Sequence, residues 1–268
     1  MKRPYLSLIQ EAGIQCGIQF IEIAPNVLYE VKKDGTSFLM NDVDLGLNQT
    51  SSASIANSKS LTYTMLSRTG VPCIEHFFLL HPRSRYAYED TYKKAEGIYR
   101  TFGPLLVLKP DEGKQGNDVM KCHSLEELYS LMDALFAKNV NITISPYYEA
   151  KHEYRLVVLN EAVKLIFAKE KIRSWKHNLT GGGAIVKEID FLTNNEIEKL
   201  HKIAIQAAKA LQLTFCTVDV LSTTQGFKVL EVNASVYLSE YMKTDEHARQ
   251  RVLEVFKDAF TYKFQNLN

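Results

Sequence analysis

Apolar and polar positions switch repeatedly along the chain between the two-residue period of strands and the 3.6-residue period of helices. Residues 6–12 predict a short helix. Gln19 to Ile23 and Val27 to Val31 predict strands, and the Asp-Gly pair within residues 32–36 predicts a turn into a third strand over Ser37 to Met40. From Asn57 to Thr69, Leu61, Met65 and Leu66 follow helical spacing, and Gly70 and Pro72 stop that helix. Leu105 to Leu108 is a continuous apolar run suited to a buried strand. Ser124-Leu-Glu-Glu127 reads as a capping box opening a helix to about Ala137. Ile142 to Ile144 and Leu156 to Leu159 predict strands. A second capping box, Thr193-Asn-Asn-Glu196, opens a helix with Ile197, Leu200, Ile203, Ala204, Ala207 and Leu211 on one face. Phe215 to Leu221 and Phe227 to Val232 predict two strands joined around Gly226, and a final helix covers roughly Asp245 to Phe260. This alternation favours mixed layers of helix and sheet over a bundle or a sandwich.

The chain has 268 residues, 46% of them hydrophobic and 24% charged, close to the globular average. A chain of this length buries roughly 70–75% of its unfolded surface, so it folds without disulfide or metal staples. Its formal net charge is +1. That balance gives no bulk attraction to nucleic acid or to an anionic membrane, so neither is expected as a partner. Cys16, Cys73, Cys122 and Cys216 are far apart and form no C-x-x-C pattern, and they read as buried small apolar residues. The first residues show no apolar run with a cleavage site, and no stretch of about 18 apolar residues occurs. A cytoplasmic chain with reduced thiols is expected.

Four segments carry candidate chemistry. One predicted strand ends in Thr217-Val218-Asp219 and the next in Leu230-Glu231-Val232-Asn233. Residues two apart share a face of a strand, so Glu231 and Asn233 project together, and Asp219 joins them if the strands are antiparallel neighbours. Such hard oxygen donors suit Mg²⁺; a solvent-facing polar stripe is the alternative. Lys109 ends an apolar strand and precedes a glycine loop, Gly113-Lys114-Gln115-Gly116, whose backbone could approach phosphate oxygens or simply form a surface turn. Lys169 to Gly183 is a basic segment ending in three glycines, readable as an anion-closing loop or as a mobile surface loop. Glu153 and Arg155 share a strand face, either to bind substrate or as a surface ion pair.

Taken in order, these pieces change the reading. A helix holding Lys59, then Lys109 with its glycine loop, Glu153/Arg155, the basic glycine loop, Asp219 and Glu231-Val-Asn233-Ala234 resemble the ATP-grasp superfamily. Within it the chain resembles the amino-acid ligase branch containing the RimK-type ribosomal-protein glutamate ligases and the ATP-grasp part of cyanophycin synthetase. The resemblance covers about residues 50–265, and Leu230-Glu-Val-Asn-Ala-Ser235 is its most specific motif. Asn178-Leu-Thr-Gly-Gly-Gly183 resembles the RimK-type loop more than the cyanophycin-type one, while Glu11 to Ser52 looks like the segment preceding the lysine helix in cyanophycin synthetase.

The resemblance implies an α+β fold in which two lobes clasp ATP. Its smaller lobe would span about 72–145 and its larger lobe about 146–268, with residues 1–50 forming a short preceding α/β segment and 51–268 the ATP-grasp domain. It implies an ATP-dependent carboxylate–amine ligase: an acyl-phosphate forms, an amine attacks it, and an amide, ADP and phosphate result. It assigns Lys59, Lys109, Gly113, Lys114, Gln115, Gly116, Glu153 and Lys169 to ATP, and the backbone of Tyr147 and Tyr148 to adenine. Asp219, Glu231 and Asn233 would hold Mg²⁺ or, alternatively, Mn²⁺, and Arg173 and Asn178 would face the acyl-phosphate. The partners implied are a small-molecule carboxylate and an amine, an amino acid or a peptide; self-association is left open.

The chain departs from the family pattern in four places. Asp118 stands where a further glycine is usual, and Pro146 replaces the acidic residue at the start of the adenine hinge. No arginine clearly follows the central strand, so Lys169 or Lys171 would stand in. Val236-Tyr237 replaces the usual Pro-Gly beside the acceptor substrate, which leaves room for a substrate other than glutamate. Two other functions fit the same residues: a nucleotide-binding protein without turnover, and a phosphotransferase that stops at a phosphorylated product.

Overall fold

The computed structural model describes residues 3–113, 116–172, 174–179 and 182–267. Helix α1 (Pro4–Gln15) leads into an antiparallel meander of β1 (Gln19–Ala24), β2 (Leu28–Lys33) and β3 (Thr36–Asn41). Helices α2 (Thr50–Asn57) and α3 (Lys59–Arg68) follow. Then come β4 (Phe77–Leu79), α4 (Thr91–Phe102), β5 (Leu106–Pro110), β6 (Met120–Cys122), α5 (Leu125–Phe136) and β7 (Ile142–Pro146). Their strands form an antiparallel sheet ordered β4-β7-β5-β6. The remaining elements are β8 (His152–Leu159), β9 (Ala162–Lys171), β10 (Ala184–Lys187), α6 (Asn194–Ala210), β11 (Phe215–Thr223), β12 (Gly226–Asn233), α7 (Ser239–Met242) and α8 (Glu246–Gln265). They supply a five-stranded antiparallel sheet ordered β10-β9-β8-β11-β12. The α+β class expected from the sequence is the one observed.

Each sheet takes the helices its apolar faces require. One face of the large sheet, with Leu156, Val158, Val218 and Val220, packs against α6, α2 and α3. The other, with Val157, Leu165, Phe167 and Phe215, packs against α8, α1 and the meander. The small sheet buries Leu106, Leu108 and Ile144 against α4 and α5. The cap at Thr193 is reciprocal: its hydroxyl accepts from Glu196 N–H, and the Glu196 carboxylate accepts from Thr193 N–H. At α5, Ser124 accepts from Glu127 N–H as expected, but the Glu127 carboxylate returns to His123 N–H instead.

Several expectations needed the tertiary structure to be corrected. The helix read from Asn57 to Thr69 is α3, which starts after Ser58, whose extended backbone (φ −92°, ψ 121°) makes it the cap; a further helix, α2, precedes it and was not read from the sequence. Leu61 is half exposed, so Leu66 carries the burial of α3. The segment preceding residue 50 packs against the large sheet. Tyr29, Val31 and Met40 share a core with Phe167, Phe215 and Phe256, and the Asn48 side chain hydrogen-bonds the backbone of Thr214, Phe215 and Ala234. Lys169 and Lys171 belong to β9 rather than to a loop, because β9 is hydrogen-bonded between β8 and β10 through that stretch. All four cysteines are free thiols; Cys122 and Cys216 are buried as expected, whereas Cys16 and Cys73 are only half-buried. Among the described residues no helix is long and apolar enough to cross a membrane.

Candidate active site

The small and large sheets face each other across a cleft of about 590 Å³. That size suits one small organic ligand. Strand β5 presents Val107 and Lys109 to it, β8 presents Glu153 and Arg155, β9 presents Lys169, and β11 and β12 present Asp219, Glu231 and Asn233.

The acidic group assembles as strand geometry requires. β11 and β12 are antiparallel neighbours, with Asp219 opposite Glu231 and Thr217 opposite Asn233. Asn233 Nδ2 donates to Glu231 Oε1 at 3.3 Å, which leaves the Asn233 carbonyl oxygen as a donor atom for a ligand. Asp219 is 1% exposed and engaged elsewhere: Arg155 Nε donates to Oδ1 at 2.8 Å and Nη2 to Oδ2 at 2.5 Å. Lys169 Nζ lies 3.6 Å from Oδ1. Burial alone would raise the Asp219 pKa, but the Arg155 and Lys169 charges outweigh it and hold the carboxyl well below the usual range. Among the described residues no three Asp, Glu, His or Cys side chains are grouped as metal ligands. The donor set is two carboxylates and an amide oxygen. Hard oxygens of this kind fit a Mg²⁺ that completes its shell with phosphate and water.

Glu153 and Lys169 pair directly across β8 and β9, both nearly buried. Glu153 therefore does not make the surface pair with Arg155 that its spacing allowed. Burial pushes the Glu153 carboxyl up to about 7, against the opposing pull of Lys169. His177, on the basic segment, packs its Nδ1 3.7 Å from Glu153 Oε2, and burial pulls its pKa down to about 4, so it is neutral.

Lys109 is 6% exposed, and among the described residues its ammonium makes no hydrogen bond or ion pair. Burial lowers its pKa to about 8, partly offset by Glu231. It is a desolvated cation facing the cleft, which favours an anionic ligand. Lys59 is differently occupied: Nζ donates to the carbonyls of Asp111 (3.1 Å) and Gly113 (3.2 Å), so it grips the glycine loop. Burial lowers its pKa as well. Gly113 and Gly116 line the cleft, and Gly116 has a left-handed backbone, φ 68°. Asp118, where a further glycine was expected, has a left-handed backbone, φ 56°, with its carboxylate held by Lys138. Lys114 and Gln115 of this loop, and Arg173, lie outside the described residues.

Beyond the loop, Tyr147 N–H donates to the Leu105 carbonyl at 3.0 Å, so the hinge amide after Pro146 is already used. The Tyr148 hydroxyl is tied to Glu75 and Lys228. Tyr147 and Trp175 form an aromatic end wall of the cleft, and Lys121 Nζ stacks on them, 3.5 Å from the centre of the Tyr147 ring and 4.7 Å from that of Trp175. Asn178 lines the cleft, and a side chain at Gly116 would meet its amide. The glycine loop and the basic segment thus touch.

Two site roles had no counterpart in the amino-acid pattern: Arg155 as the partner of Asp219, and His177 beside Glu153. The i, i+2 relation of Arg155 to Glu153 was visible, but only the β8–β11 pairing reveals what Arg155 binds.

Comparison with known proteins agrees with this geometry. A family model described as the RimK-like ATP-grasp domain matches residues 56–255. A probable alpha-L-glutamate ligase of Enterobacter sp. (strain 638) is 32% identical over 233 residues, covering 84% of this chain and 72% of that protein. The ribosomal protein bS6–L-glutamate ligase of Escherichia fergusonii is 31% identical over the same shares of both chains. In fold, the chain is similar to the ATP complex of D-alanine–D-alanine ligase from Bacillus anthracis, with a TM-score of 0.62 and 16% identity over 82% of this chain and 71% of that one. Sequence, fold and cleft therefore agree: the chain belongs to the RimK-like ATP-grasp family of ATP-dependent carboxylate–amine ligases.

Proposed function

We propose that the chain joins the carboxylate of an amino acid or peptide to the amine of another amino acid, with Mg²⁺ (Mn²⁺ as the alternative) and ATP in the cleft. The observation that carries this reading is a single cleft in which Lys109, desolvated and without a hydrogen bond or ion pair among the described residues, and the glycine loop face the Glu231–Asn233 pair. In this reading the lobes about 72–145 and 146–268 clasp the nucleotide. Lys109 and the N–H groups around Gly113 and Gly116 bind phosphate oxygens. Lys59 holds that loop in place and reaches the same oxygens. The Tyr147–Tyr148 hinge borders the base, and Glu153 with Lys169 line the nucleotide's path toward the acidic group.

Glu231 and Asn233, assisted by the remaining lone pairs of Asp219, would hold the metal. Bound there, Mg²⁺ supplies Lewis-acid neutralisation of the phosphate charge. The substrate carboxylate attacks the γ-phosphorus, and ADP leaves. The amine nitrogen then attacks the acyl carbon, the C–O bond to phosphate breaks, and the amide forms. Lys109, Lys169 and Arg155 stabilise the charge that moves onto phosphate oxygens, and Asn178 borders the acyl-phosphate. The relatives are named as L-glutamate ligases, one of them for ribosomal protein bS6; Val236-Tyr237 beside the site supports a different or wider choice of acceptor here.

The test is ADP release by the purified protein with MgATP and pooled amino acids, with Glu231→Gln as control. The reading predicts release that needs both a carboxylate and an amine and is lost in the variant. Release without an amine, yielding a stable phosphorylated product, would replace it with a phosphotransferase.

A further inference from the structure

Asp111 sits between Lys109 and Gly113, is 4% exposed, and does not line the cleft. A buried carboxylate needs partners, and all of its polar groups have them. Its Oδ2 accepts from the Ser58 hydroxyl at 2.6 Å, and Oδ1 accepts from Ser60 N–H at 2.9 Å. Its carbonyl accepts from Lys59 N–H at 3.2 Å and from Lys59 Nζ at 3.1 Å. Its own N–H donates to the Asn141 carbonyl at 2.9 Å. The carboxylate thus caps the first turn of α3 from outside that helix, satisfying an amide that no intrahelical partner reaches.

The two ends of this contact belong to different sheets. Asp111 continues β5 of the small sheet, whereas α3 and α2 pack on β12, the strand of Glu231 and Asn233. We propose that Asp111 is a positioning residue: it latches the glycine loop and Lys109 to the helix that fixes their distance from Glu231 and Asn233. The inference rests on nucleotide binding in the cleft. Through Lys59, anchored on the Asp111 and Gly113 carbonyls, the latch holds the loop that faces phosphate without touching phosphate itself. Nothing in the amino-acid pattern announces it, because Asp111 reads as an ordinary turn residue after proline.

The test measures affinity for Mg²⁺ plus a non-hydrolysable ATP analogue by calorimetry, and amide exchange in peptides covering residues 106–119. Asp111→Ala is expected to weaken analogue binding at least ~10-fold and to speed exchange of those peptides in the free protein. Ser58→Ala, which removes only one bond, is expected to do the same more mildly, about threefold. Asp111→Asn, whose amide can accept from Ser60 N–H and donate to Ser58, should restore binding to within about threefold of wild type. Thr193→Ala removes a cap of similar kind on α6 and should lower the melting temperature while leaving affinity unchanged. If Asp111→Ala behaves like Thr193→Ala, losing stability alone, Asp111 is only a cap and the latch is wrong. If the wild type itself fails to bind the analogue, the nucleotide reading falls, and unchanged exchange in Asp111→Ala would overturn the latch separately.

Discussion

Arg155 grips both oxygens of Asp219 from the neighbouring strand, Nε to Oδ1 at 2.8 Å and Nη2 to Oδ2 at 2.5 Å, with the two residues in direct register on β8 and β11. The arrangement keeps a carboxylate charged at the floor of the cleft, against the upward pull of burial on its pKa. It also turns the expected trio of Asp219, Glu231 and Asn233 into an open pair backed by a neutralised third member. In the proposed reading Glu231 and Asn233 offer a metal their open oxygens, and Asp219 adds its remaining lone pairs.

Removing Arg155 should cost more than an ordinary ion pair. Asp219 would remain buried with Lys169, 3.6 Å away, as its one cationic neighbour among the described residues. Arg155→Ala is expected to lower folding stability by about 3–5 kcal/mol, the range for a buried charge left without its partner. Adding Asp219→Asn should recover part of that loss. Urea unfolding of the two variants measures it, and a double variant no more stable than Arg155→Ala would refute the coupling.

Glu231→Gln keeps the shape of the side chain but removes its charge. ATP affinity should change less than about threefold, while turnover falls at least ~100-fold, because the lost interaction strengthens as charge develops in the transition state. Steady-state kinetics beside direct binding decide it. Equal losses in both would place Glu231 in ground-state binding only.

Lys109 makes nucleotide affinity depend on pH. Its pKa is lowered to about 8 in the free protein, so the ammonium neutralises as pH rises through that value. Affinity for MgATP should therefore be steady up to about pH 7.5 and decline above about 8. Lys109→Arg, which stays charged, should flatten the profile. A decline retained in that variant would assign it to another group.

Glu153 predicts the sign of a stability change. Its carboxyl is raised from 4.5 to about 7 on folding, so between those values the native state binds more protons than the unfolded one. Stability should fall as pH rises through that window. Asp219 acts oppositely, since its lowered pKa contributes stability above the unfolded carboxyl value and loses it as pH falls further into acid. Unfolding of Glu153→Gln at pH 5 and pH 7 should show a smaller decline than wild type. An unchanged decline would exclude Glu153 as its source.

What the sequence determined by itself is local. The Thr193 capping box, the Asp-Gly turn between β2 and β3, and the shared face of Glu231 and Asn233 follow from the backbone periods and from side chains bonding amides three residues away. Motif order was also legible, and it carried the family. Tertiary structure decided the rest, because the partners are far apart in the chain and near only once strand order is set. Lys169 looked like part of a basic loop until β8 and β10 enclosed β9 and buried it against Glu153. Arg155 looked like the partner of Glu153 until β11, some sixty residues on, brought Asp219 opposite it. Lys59 could be placed only on a helix until β5 delivered the carbonyls of Asp111 and Gly113 to its ammonium. A strand's alternation says which side chains share a face; only the folded sheet says which charge meets which, and burial makes that meeting obligatory.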